Sequence, residues 1–97
     1  MTDEIKLTMD TQRAARASIL LSDPMLVEAF TLLERAYIER WRATHIDDDK
    51  GREKLFVAVN VVGKVMDHLN HIISNGKMAA AELDNLARQA ERMKRFG

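Results

Sequence analysis

The sequence predicts an all-α fold, an antiparallel helical bundle with two long helices plus a short N-terminal and a basic C-terminal helix. Three observations lead there. Between Asp47 and Gly76, apolar residues recur at Leu55, Val59, Val62, Met66, Leu69 and Ile73, in steps that alternate between four and three, as in a heptad seam. Ser22-Asp23-Pro24 and Asn75-Gly76 are helix punctuation set between periodic stretches. No stretch carries the apolar–polar alternation of a strand. A chain of 97 residues is one domain at most, so residues 1–97 are expected to form a single helical domain.

Residues 1–9 show no strong period and are expected to form a flexible arm. Asp10 or Thr11 can cap a short first helix, favoured by Ala14, Ala15, Ala17, Ile19 and Leu20. Asp23 then suits an N-cap, and Pro24 suits the first helical position, where its missing N–H costs nothing. The second helix is expected from Pro24 to about Thr44, with Leu26, Phe30, Leu33, Tyr37 and Trp41 on one face and Ala29 and Ile38 beside them.

The carboxylates of Asp47, Asp48 and Asp49 can cap the third helix and oppose the positive end of its dipole. That helix is expected over 49–74. Gly63 inside it costs up to about 1 kcal/mol against alanine, and a close neighbour at that point would compensate. A second stripe runs through Ala58, Val61, Val65, His68 and Ile72. One helix with two apolar stripes must be covered from two sides, as the centre of a bundle or as the seam of an oligomer. Asn75-Gly76 offers left-handed conformers and is expected to end this helix. A fourth, from Lys77 to about Arg95, carries Met78, Leu83, Leu86, Ala87, Ala90 and Met93.

Bulk composition narrows the function classes. Lysine plus arginine and aspartate plus glutamate both total 15, a formal net charge of +0, unlike the basic balance of most nucleic-acid-binding domains. There are no cysteines, so disulfides, zinc–thiolate sites and thiol nucleophiles are excluded. No apolar run is long enough to span a bilayer, and the acidic start Met1-Thr2-Asp3-Glu4 is not a secretion signal.

Each candidate chemical feature has a plainer reading beside it. His68 and His71, three apart with Asp67 nearby, could begin a metal site, but no further ligand pattern completes it. The preferred reading makes His68 a polar interruption of an apolar stripe and His71 a solvated residue, with no metal and no cofactor. Arg40 and His45 form the spacing of a short Arg-to-His motif known from helical-bundle ribonucleases, where such a pair handles protons and phosphate charge. The surrounding context of that motif is missing, so no enzyme is expected. Asp47-Asp48-Asp49-Lys50-Gly51 lacks the ligand spacing of a calcium loop.

Arg88, Arg92 and Arg95 share a helix face near the C-terminus, with Lys94 beside them. They suit a helix C-terminus electrostatically, and the functional alternative is contact with a phosphate backbone. Trp41 either closes the core or anchors a partner. The expected oligomer or partner interface comprises Trp41, Val61, Val65, His68 and Ile72.

Four blocks carry a resemblance: Ser22-Asp23-Pro24-Met25-Leu26-Val27-Glu28-Ala29-Phe30, Tyr37-Ile38-Glu39-Arg40-Trp41-Arg42, Gly51-Arg52-Glu53-Lys54-Leu55, and His68-Leu69-Asn70 with Asn75-Gly76-Lys77-Met78-Ala79. Together they span roughly two-thirds of the chain, and they resemble small all-helical proteins encoded in packaging and virion-assembly regions of tailed bacteriophages and prophages. That resemblance implies a non-enzymatic homo-oligomer acting in bacteriophage assembly or DNA packaging, in the cytoplasm of a bacterial host or in the virion. Its partners would be itself, other phage proteins or DNA, with no membrane. The alternative is a phage-encoded binding module or inhibitor directed at a host protein or nucleic acid. A small packaging subunit of the usual kind would present a helix-turn-helix. Here the residues after Ser22-Asp23-Pro24 form an apolar stripe instead of a polar recognition face.

Overall fold

The computed structural model describes the backbone of residues 2–96 and the side-chain environment of residues 3–95. The fold is all-α. Three helices are present among the described residues: α1 (Thr2–Leu21), α2 (Pro24–Arg42) and α3 (Asp49–Phe96). They fall into two compact units. One combines Met1–Ile19 with Asn70–Gly97, the other is Leu20–Leu69.

Two sequence boundaries hold closely. Asp23 is the N-cap of α2, with extended backbone (φ −78°, ψ 113°), and its carboxylate accepts from the Met25 amide at 3.0 Å. Pro24 occupies the first helical turn. The Asp23 carbonyl also accepts from the Val27 amide at 3.2 Å, the first bond of the helix. At the other end, the Ala43 amide donates to the carbonyls of Glu39 and Arg40, and the Thr44 hydroxyl donates to the Trp41 carbonyl at 2.7 Å. Asp48 caps α3, accepting from the Gly51 amide at 3.0 Å. Its carbonyl accepts from the Arg52 amide, and the Arg52 guanidinium donates to the Ile46 carbonyl at 3.1 Å, tying the connection to the new helix.

Three expectations are corrected. The N-terminal segment expected as an arm is helical from Thr2, so α1 has 20 residues and is not short, and Asp10 lies inside it instead of capping it. Met1 lies outside the described residues. The third and fourth helices are one helix of 48 residues. Asn75-Gly76 adopts no left-handed conformer, and no positive φ occurs among the described residues. The tight neighbour expected at Gly63 sits at Gly76 instead. Nothing lies within 4 Å of where a Gly63 Cβ would be, whereas a Cβ on Gly76 would overlap that of Ala14 and come within 3.0 Å of the Asp10 carbonyl oxygen. Gly76 is therefore a packing glycine where α1 crosses α3, not a helix stop.

The core is small. Among the described residues the buried apolar side chains are Ala14, Ala17, Val62 and Ala79, and no large side chain is fully buried. The heptad seam of α3 faces inward as expected: in the Leu20–Leu69 unit Leu55, Val59, Met66 and Leu69 are half-buried around Val62, and Ile73 is half-buried in the other unit. In the unit containing α1, the lining continues through Gly76, Ala79, Leu83 and Leu86. There small residues set the packing, since Ala14 and Ala17 of α1 are the buried positions opposite.

Candidate functional site

The features that could carry function are surfaces, not an enclosed pocket. In the Leu20–Leu69 unit, Ile38 and Trp41 of α2 face Leu55, Phe56, Val59 and Asn60 of α3 across an open groove of about 240 Å³. The α2 stripe brings Trp41 there, and the Asp48 cap starts α3 at the right place to oppose it. Trp41 remains 46% exposed, so it lines the groove instead of closing a core. Asn60 turns its amide away from chemistry, donating to the Phe56 carbonyl one turn back at 2.8 Å.

The second α3 stripe divides. Val61 and Val65 are 53% and 42% exposed, His68 is exposed, Ala58 is half-buried, and Ile72 is half-buried in the other unit. The unit Leu20–Leu69 therefore leaves Val61 and Val65 uncovered. Sequence reasoning did not pick out Met25 and Leu32 of α2, which are exposed as well, at 76% and 50%, and Leu33 of the expected inner face stays 43% exposed. A stripe count could have found Met25, Ala29, Leu32 and Ala36, which step by four, three and four. The larger aromatic face of α2 masks that weaker stripe.

Arg88, Arg92 and Arg95 share one face of α3, as the spacing predicts, with Lys94 exposed nearby. The same face also holds Asp84, Ala87 and Glu91. Asp84 pairs with Arg88 at 2.8 Å, one turn apart and mostly in water. Such a pair adds little stability, yet it lowers the net positive charge that the face presents.

His68 and His71 are both exposed. Among the described residues no group of three or more histidine, cysteine or acidic side chains gathers as metal ligands would. Arg40 and His45 are both exposed, His45 in the turn after α2, where nothing excludes water from the pair. Of the three aspartates, Asp48 is the capping acceptor and Asp49 lies in the first turn of α3. Among the described residues no helix is long and apolar enough to cross a membrane.

No protein-family model, curated protein or solved structure matches this chain. The described residues form an all-helical chain with a small core and many exposed apolar side chains.

Proposed function

We propose that the protein is a non-enzymatic, self-associating helical component of bacteriophage assembly or DNA packaging, built from antiparallel helix pairs. One observation carries the self-association: a chain whose only buried apolar residues, among those described, are three alanines and one valine, while leucines, methionines and valines stay in water. A domain this small rarely gains enough stability from its own core, and association is the usual remedy. Large exposed apolar patches mark interaction sites.

The antiparallel pairing draws support from which residues meet. Asp10 and Ala14 flank Gly76, whereas Leu7, earlier in α1, lines a hollow with Glu82 and Leu86, later in α3. The phage context rests on the resemblance of the four sequence blocks named above.

Absolute mass by light scattering, at low and high salt, tests the association. A defined oligomer that survives high salt is expected, and a monomer at high micromolar concentration would overturn it. For the phage role, deleting the gene from a phage that carries it should abolish filled capsids while leaving host lysis intact. Normal capsids would remove that role.

The Arg88–Arg92–Arg95 face supports a second reading as a nucleic-acid contact, because the three guanidinium groups lie along one side. Replacing all three with serine should release the protein from immobilised DNA and reduce the salt dependence of binding. Unchanged retention, or none by the wild type, ends that reading.

A further inference from the structure

The neutral net charge of the chain hides a division between its two units. Met1–Ile19 with Asn70–Gly97 holds eight lysines and arginines against six acids, whereas Leu20–Leu69 holds seven against nine. In the first of these units the positive charge is also sorted by face. Gly76, Ala79, Leu83 and Leu86 form the buried and half-buried line of α3, and Asp10 and Ala14 of α1 lie against it at Gly76. At about 100° per residue, Lys77, Arg88, Arg92 and Arg95 stand roughly 140–160° round α3 from that line, on the side turned away from α1. All four are exposed. They cover about 27 Å of helix. Ser74, Ala81 and Asn85 stand among them, Asp84 and Glu91 mark one edge and Met78 the other. Asp84 is already paired with Arg88 at 2.8 Å.

We propose that this side of α3 lies against the phosphate backbone of duplex DNA. The proposal rests on the nucleic-acid reading of the same arginines given above, extends their face to Lys77 and names the ligand. Guanidinium groups make paired hydrogen bonds to phosphate oxygens, and Ser74 and Asn85 supply neutral groups of the kind that also contact phosphate. A protein partner would need an apolar anchor at the centre of the face, where the largest apolar side chain is Ala81. Unpaired bases would need aromatic rings to stack on, and none of these residues is aromatic. One continuous helix holds the four cations in fixed register, which suits a ligand whose charges are equally regular.

The test is fluorescence anisotropy with a labelled duplex and the matching single strand at several salt concentrations, with helicity followed by circular dichroism. The wild type is expected to bind the duplex more tightly than the single strand. Duplexes of different sequence should bind alike, because phosphate contacts carry no sequence information. The logarithm of the affinity should fall against that of salt with a slope of about −3. Arg88→Ser/Arg92→Ser should make that slope shallower by about 2, whereas Arg13→Ser/Arg16→Ser, the same change of charge on α1, should leave it as it is. Lys77→Ser should make it shallower by about 1. Asp84→Asn, which frees Arg88, should tighten binding by up to about fivefold. If the Arg88/Arg92 pair loses helicity, Asp84→Asn, which keeps every cation, decides the matter by the sign of its effect. No binding of either DNA by the wild type would overturn this face and the nucleic-acid reading together. Tighter binding of the single strand, equal affinity for polyglutamate, or equal losses from the two arginine pairs would overturn the duplex-backbone face alone.

Discussion

Asp23 and Asp48 each hold an amide of the following turn at 3.0 Å, Asp23 that of Met25 and Asp48 that of Gly51. Each bond satisfies one of the donors that a helix start leaves open. Asp23→Ala and Asp48→Ala should each lower stability by about 1 kcal/mol in urea titration, and the asparagine replacements by much less. Both caps were legible in the sequence because a cap needs only its own turn. The glycines were not, because which glycine meets a neighbour depends on how two distant segments cross. Gly63 has open space where a Cβ would go, so Gly63→Ala should stabilise the protein by about 0.5–1 kcal/mol through helix propensity alone. Gly76→Ala should cost about 1–3 kcal/mol by overpacking against Ala14. Adding Ala14→Gly should recover part of that loss, because it removes the atom with which the new methyl collides. A Gly76→Ala variant as stable as the wild type would mean that α1 does not cross there.

The elements differ from their sequence reading for a related reason. In α1 the residues turned inward are Leu7, Asp10, Ala14, Ala17 and Leu21, in steps of three, four, three and four. That is a regular helical face, but a polar residue and two alanines hide it from a search for large apolar side chains, while Ile5 and Met9 point to solvent. In α3 the Asn75-Gly76 pair has the composition of a helix stop, and the heptad pattern from Leu55 to Ile73 is complete before that pair is reached. The continuation uses Gly76 and Ala79 as contact residues, which a hydropathy reading scores as weak. Asn75 is exposed inside a continuous helix. Asn75→Ala should therefore raise stability by about 0.5 kcal/mol, the difference in helix propensity. At a left-handed helix end the same change would lower it, so the sign of the shift in the urea midpoint distinguishes one helix from two. The start of α2 and the seam of α3 were legible because a cap residue and large side chains at heptad spacing mark them directly.

For the whole molecule, the balance between neutral charge and uncovered apolar surface sets how stability should respond to conditions. Positive and negative side chains are equal in number, so charge neither drives copies apart nor draws them together over distance, and association rests on apolar contact that salt does not screen. Folding is then linked to assembly by mass action, because only the folded chain presents the exposed apolar faces of its helices. A hundredfold rise in protein concentration across the dimerisation range should add roughly 2.7 kcal/mol per dimer, which for a chain this size amounts to a rise of several degrees in Tm. The Arg88–Arg92–Arg95→Ser variant should keep the wild-type dependence, since the association rests on apolar contact and not on charge. Calorimetry over that concentration range separates the alternatives. A Tm that ignores concentration in the wild type would mean that each chain is stable alone and that the exposed apolar residues await a different partner.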